Sequence, residues 1–520
     1  MKNNIIVVLL ALAAMFTAGC KKYLDINTNP NYPQKVAANL YLSPIQANIA
    51  LGLQNDGRFL GKYVQNWVGN ASNDLWDRHG HNQYAASGAD FGGELWRVVY
   101  WRMGQNLSDM IALAEKEKRW DIVGAGKVLR AWGWQMLTDM HGEIIMKEAF
   151  DPNKKTFQYD SQQDIYTEVV RLCKEGIADL ERTDGASSKS YFGQGDMIYK
   201  GDKDKWIKFG YGLLAINALH LSNKTDLFDA DLVIQYVDKA LSSNLDDAIV
   251  PFAGSVTSDA SYFGPRNNTV ATFRQSEYVV NLMNGGATSG VVDPRMNKML
   301  VPAPDGKFRG LSPTFGYGTL VTAQRPFTLW RTVAVPAPGV GSWYIFNDNS
   351  GFPIMTYAQL QFIKAEAALK KQYNNIALQA YVNGISAHID YVNEIYSKNT
   401  PVTGVTTVSA TEKNAYLSNI NIVPNASSLT VQQILLQKYI AQWGWGFIET
   451  WTDIRRNHYE AAKLNGFMVP TNLFPDNNGL PAYRMRPRFN SEYVWNRDAL
   501  GKVGGLKTDY ATFEMWFTKP

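Results

Sequence analysis

Residues 203–242 read KDKWIKFGYGLLAINALHLSNKTDLFDADLVIQYVDKALS. Trp206, Phe209, Leu213 and Ile216 recur at steps of three and four, the spacing that paints one face of an α-helix. A polar break follows, and Val233, Tyr236, Val237, Ala240 and Leu241 restart the pattern. Neither helix can bury its apolar stripe alone, and the short link lets each cover the other. The same arrangement recurs at 121–139 with 162–181 and at 354–371 with 374–396, and a further stripe runs through Leu436, Tyr439, Ile440 and Trp443. Ser161 with Asp164, and Thr430 with Gln433, read as helix starts in which the hydroxyl caps free N–H groups. Paired helices that bury their faces on neighbours predict a mostly α protein built as a scaffold of TPR-like pairs. The pairing carries that reading, because no strict repeat consensus is present.

Three stretches break the periodicity: 65–93, 251–274 and 302–353. They are rich in Gly, Asn, Pro or Ser, yet they hold Trp67, Trp76, Trp330, Trp343 and Tyr344. Disordered chain is poor in aromatics, so these read as ordered, long irregular loops with a few short strands, one of them expected around Thr319 to Thr328. The chain as a whole has 15 Trp, 27 Tyr and 23 Phe among 520 residues, more than ordinary core packing asks for. Lys plus Arg is 51 against 47 Asp plus Glu, a balance that gives no reason to expect a nucleic-acid partner.

The first residues read as an address. Lys2 precedes an apolar run from Ile5 to Phe16, too short to span a bilayer and of signal-peptide length. Thr17, Ala18, Gly19 and Cys20 then resemble a bacterial lipobox, with Thr17 in place of the usual Leu. The expected division is a lipoprotein signal peptide over 1–19, a lipidated tether over 20–40 that begins at Cys20, and one helical ligand-binding domain over 41–520. Acyl chains on Cys20 would anchor the protein at about 0.8 kcal/mol per buried methylene. The other cysteine, Cys173, falls in a helical pattern and reads as a buried structural thiol.

Several motifs appear in a fixed order. Leu129-Arg130-Ala131 is followed by Gly142, Glu143, Ile144, Glu148 and Ala149, with Ile145 and Met146 where Pro and Tyr are usual. Tyr159-Asp160-Ser161-Gln162 comes next, then Asp196, Tyr199, Gly201, Asp202, Trp206, Lys208 and Phe209. Further on stand Asp293-Pro294-Arg295; the run Tyr357, Leu360, Ile363, Ala365, Glu366, Ala367; Gln437-Lys438-Tyr439; and Glu449, Trp451, Asp453, Arg455, Arg456. Arg486, Glu492 and Asn496 close the series, with Phe489 and Asn490 replacing Tyr and Pro. This ordered set resembles the SusD/RagB family, in particular its SusD-like, starch-binding-associated branch. The resemblance implies a surface lipoprotein of the outer membrane that captures an oligosaccharide or a peptide and hands it to a SusC-like TonB-dependent transporter barrel. It implies no cofactor and no catalysis.

The motif residues have a structural role first. Tyr357 to Ala367 reads as a core helix, and Glu449, Asp453, Arg455 and Arg456 as ion pairs that fix helix ends. Sugar recognition needs an aromatic face for the C–H face of the ring and planar polar groups for its hydroxyls. Between Gln65 and Trp96 the chain offers Trp67, Asn73, Asp74, Trp76 and Arg78, with His79 and Tyr84. Trp330-Arg331 with Trp343-Tyr344 forms a second candidate cluster. Packing of the loops is an equal alternative for each of these residues singly. His79 and His81 alone are too few for a metal site, although a structural ion stays open. No nucleophile elbow, zinc-protease motif or phosphate loop occurs. An all-helical glycosidase and a pure helical scaffold are the remaining alternatives.

Overall fold

The structure is a computed structural model that describes residues 36–72, 77, 92–340, 343–398 and 406–520. The signal-peptide reading, Cys20, most of the tether, and Asn73, Asp74, Trp76, Arg78, His79, His81 and Tyr84 lie outside the described residues. Helices dominate. A long first helix, α1 (Leu42–Tyr63), precedes α2 (Gln105–Lys116), α3 (Trp120–His141) and α4 (Gln162–Glu181). Then come α5 (Lys203–His220), α6 (Ala230–Lys239), α7 (Tyr357–Lys370), α8 (Asn374–Lys398), α9 (Val431–Gln442) and α10 (Phe447–Arg456). The expected pairs form: α3 packs on α4, α5 on α6 and α7 on α8, while α4 also packs on α5 and α6 on α7, so the pairs stack. The predicted caps are in place. Ser161 accepts the backbone N–H of Asp164, and Thr430 and Gln433 form a reciprocal capping box. No helix among the described residues is long and apolar enough to cross a membrane.

Small residues set how closely these helices approach. A Cβ on Gly124 of α3 would stand 2.4 Å from the carbonyl oxygen of Gly176 on α4. Ala365, Ala367 and Ala368 of α7 are buried, as the core-helix reading expects. Cys173 is buried on α4, and burial pushes its thiol up.

The strands fall elsewhere than expected. β1 (Trp67–Gly69) pairs antiparallel with β3 (Phe273–Gln275), and β2 (Ala248–Val250) with β4 (Phe352–Met355). The stretch Thr319 to Thr328 forms no strand, because its backbone donors turn back locally: Leu320 bonds to Tyr317, Gln324 to Val321 and Arg325 to Thr322.

A buried ionic cluster ties five helices together. Lys438 on α9 donates to Glu449 at 2.7 Å and to Asp453 at 3.0 Å, both on α10. Arg456 on α10 bridges Asp453 at 2.7 Å and Glu366 of α7 at 2.9 Å. His220, ending α5, lies 2.9 Å from Glu449 and 3.3 Å from Asp139 of α3. The ion-pair reading therefore holds for Glu449, Asp453 and Arg456. Arg455 differs: its guanidinium donates to the carbonyls of Asp139 and Tyr483 and lies over the Trp451 ring at 3.8 Å. Burial lowers it to about 10.

Burial alone would push the His220 imidazole down, but the Glu449 and Asp139 carboxylates outweigh it and lift it to about 9. In the unfolded chain a histidine titrates near 6.5. The stabilisation is therefore complete below about pH 6.5 and is lost as the pH rises through about 9. His220→Gln should lower the melting temperature at pH 6, and the gap between variant and wild type should shrink steadily up to pH 10. A gap that stays constant across that range would contradict the assignment.

Candidate functional site

The three irregular stretches converge on one face. β1 brings 65–72 against 272–275, and Asn70 N–H continues the ladder to Thr272 at 2.9 Å. Gln275 is buried, and its side-chain amide donates to the carbonyls of Val301 and Arg309, at 2.8 and 2.7 Å. Asp348 joins the far ends, accepting the N–H groups of Arg266 and Gly339 on its carboxylate while its carbonyl accepts Ser261 N–H. Asp77 is likewise buried. Both of its oxygens accept the Phe474 N–H, and one also takes the Asn477 amide at 2.7 Å, which pins the middle of the first excursion to 474–477. Burial raises the Asp77 carboxyl despite those bonds.

At the meeting point the chain reads SPTFGYGTL, residues 312–320. Gly316 has φ +55, and a Cβ there would stand 2.5 Å from the carbonyl oxygen of Asn70, so only glycine lets the loop close on β1. Tyr317 N–H then bonds to that same carbonyl at 3.3 Å. This closure pushes Phe315 outward, leaving it 62 % exposed. Tyr317 is half-buried, with the Arg325 guanidinium 4.7 Å and the Arg274 guanidinium 5.6 Å from its ring centre. Arg274 is fixed by the carbonyls of Ala271, Phe273 and Pro326. Nearby in the chain, Arg309 forks onto Asp305 with two bonds of 2.7 Å. The result is a shelf of aromatic rings and planar cations beside Asn70 and Ser72. Such a set can stack against a flat apolar face and donate to hydroxyl or carbonyl oxygens.

The expected aromatic candidates lie elsewhere. Trp67 is fully buried among Phe263, Phe273, Phe346 and Phe447, with ring centres 5.1 to 6.2 Å away, and its indole N–H donates to Arg58. Trp330 is buried and donates to the Phe263 carbonyl at 2.8 Å. Trp343 is buried under the Arg331 guanidinium at 4.0 Å, and buried Tyr344 stacks on Trp443. These four rings pack the base of the loops and present no face to solvent, a correction to their reading as ligand platforms. Arg331 is half-buried above them. Phe315 and Tyr317 were not singled out from the sequence. The available signal was a pair of aromatics bracketed by glycines in a non-periodic stretch.

Comparison with known proteins agrees with this architecture. Residues 30–486 match the family model for SusD-like proteins, described as starch-binding and associating with the outer membrane. The chain therefore belongs to the SusD-like family of outer-membrane-associated proteins. Its fold is similar to that of a SusD/RagB family protein of Bacteroides thetaiotaomicron, with TM-score 0.70 and 21 % identity over 93 % of this chain and 99 % of the other. A SusD homologue of Bacteroides fragilis gives TM-score 0.68 at 17 % identity, covering 93 % and 100 %. A chitin-binding SusD homologue of Flavobacterium johnsoniae gives 0.66 at 18 %, covering 92 % and 98 %. No curated protein matches.

The division between packing rings and shelf rings is measurable. Trp67→Ala should cost ~3–5 kcal/mol of stability in urea unfolding, as expected for emptying a large core site. Phe315→Ala should stay within about 0.5 kcal/mol of wild type. Equal costs for the two would reverse the assignment.

Proposed function

We propose that this protein captures a glycan at the shelf formed by Phe315, Tyr317 and Arg325 and passes it to a SusC-like TonB-dependent barrel, while a lipid on Cys20 holds it at the outer membrane. The observation that carries the reading is the exposed aromatic–guanidinium shelf where residues of the three irregular stretches meet at the surface. Phe315 is exposed beside a closure that only glycine permits, and so its ring is open to a ligand. Family membership supports a carbohydrate ligand and an outer-membrane setting, and chitin-binding proteins share the fold. Ser72 lies beside this shelf, and Asn73, Asp74, Trp76 and Arg78, the residues singled out in the sequence that follows it, are proposed to contribute to ligand contact. Peptide capture is the alternative, and the same rings would serve it.

Binding without bond cleavage fits the chemistry of the described residues. Glycoside hydrolysis uses two carboxyl groups facing each other across an open cleft. The closely spaced carboxylates Glu449 and Asp453 are buried and neutralised by Lys438 and Arg456, where no substrate reaches them. Asp305, near the shelf, is already forked by Arg309.

Titration calorimetry of the mature chain against maltoheptaose, cellohexaose, chitohexaose and a peptide pool tests the reading. The double variant Phe315→Ala, Tyr317→Ala should weaken binding of a responding glycan at least tenfold, equivalent to about 1.4 kcal/mol. Unchanged affinity in the folded variant would move the site elsewhere, and binding of peptides alone would favour the alternative.

A further inference from the structure

A second concavity, of about 650 Å³, shares no residue with the shelf or its loops. That volume lies in the range of small-ligand pockets. Two π-helical turns build its walls: Val98–Gly104, which follows a short helical turn at Glu94–Arg97, and Phe489–Trp495. Such wide turns are rare and concentrate at functional sites, because they re-aim side chains that an α-helix would place elsewhere. Here the first turn throws Trp101 into solvent, 64 % exposed, with the Arg97 guanidinium 4.5 Å from its ring.

The interior is held rigidly before any ligand arrives. Tyr100 is fixed twice by Ile145, donating from its hydroxyl to the carbonyl at 2.6 Å and accepting the N–H at 3.0 Å. Its ring packs on Trp96 at 4.9 Å, and Phe150 stacks on Trp134. On the opposite wall Glu492 lines the cleft with one oxygen, Oε2, already taken by Tyr159 at 2.7 Å and Asn496 at 2.9 Å. Arg488 and Ser491 complete the polar edge. The walls are thus mostly rings and aliphatic carbon, with the Glu492 carboxylate and the Arg97 and Arg488 guanidinium groups among the lining residues.

That balance selects among sugars. A plain glucose unit carries hydroxyls around its whole edge and would leave most of them unmet against apolar walls, at a cost for each. An N-acetylated hexosamine replaces one hydroxyl by an amide and a methyl group. The methyl and the C–H face of the ring suit Trp101, Tyr100 and Phe157; the amide N–H suits Glu492 and its carbonyl suits Arg488. We propose that this cleft is a second carbohydrate subsite, selective for an N-acetylated hexosamine ring, with Trp101 as its stacking platform. The proposal rests on the glycan-binding reading above but uses separate residues.

The test is titration of the full mature chain with chitohexaose and with cellohexaose, comparing wild type, Trp101→Ala and the double variant Phe315→Ala, Tyr317→Ala. The exposed Trp101 should be removable without a change in melting temperature. Trp101→Ala is expected to weaken chitohexaose at least tenfold and to leave any cellohexaose binding within twofold. Wild-type affinity of Trp101→Ala for chitohexaose would overturn the cleft assignment while the shelf reading stood. Equal losses for both hexamers would overturn its selectivity. Failure of wild type to bind chitohexaose while it binds another glycan would overturn the cleft alone, and failure to bind any glycan would overturn both readings.

Discussion

The structure depends on the charge cluster buried where α3, α5, α7, α9 and α10 meet. Lys438, Arg456 and His220 lie among Asp139, Glu366, Glu449 and Asp453, all within the core. Desolvating ions is expensive, and the expense is met only if each finds its partner at hydrogen-bonding distance. Arg456 holds the Glu366 carboxyl at about 2, far below its ordinary range, although burial alone would raise it. A helix displaced by one turn would strand a charge without a partner. The cluster therefore fixes how the C-terminal helices α9 and α10 cross the stacked pairs, a relation that apolar contacts alone would leave free to slide. Arg455 extends the same constraint, since its bonds to the Asp139 and Tyr483 carbonyls join α10 to α3 and to the C-terminal segment.

A body fixed in this way can carry long loops without losing their geometry. The shelf is made by backbone closure: Gly316 against Asn70, Gln275 spanning two carbonyls, and Asp348 and Asp77 gathering loose ends. Below it, Trp67, Trp330, Trp343 and Tyr344 form an aromatic floor that joins the loops to α10 through Phe447 and to the segment after α9 through Trp443. The excess of aromatics thus divides into a large packing fraction and a small outward fraction. A ligand at the proposed shelf would meet groups already positioned, so little ordering would be required on binding.

The helix pairs were legible because burial on one face imposes a 3.6-residue period that survives in the sequence, and the caps at Ser161 and Thr430 were legible because they need particular side chains. The strands were not, because β1 and β3 are three residues long and their partners come from distant parts of the chain. The aromatic sites failed for a similar reason. A tryptophan in an irregular stretch looks the same in sequence whether its ring points in or out; Trp67 is covered by Phe447, which only the tertiary fold brings near. Trp101 was missed because a π-helical turn shifts the phase of the helix, so its outward position does not follow from an α-helical count.

On the proposed function this protein would hold the ligand for a partner barrel, and the charge cluster and aromatic floor would keep its loops in register. The most direct measurement is gentle solubilisation of native outer membranes, capture of this protein, and mass spectrometry of what accompanies it. A TonB-dependent barrel in stoichiometric amount, retained by wild type, is the expected result. Recovery of this protein alone, from membranes in which other such complexes survive, would contradict the hand-over and leave a stand-alone binding protein.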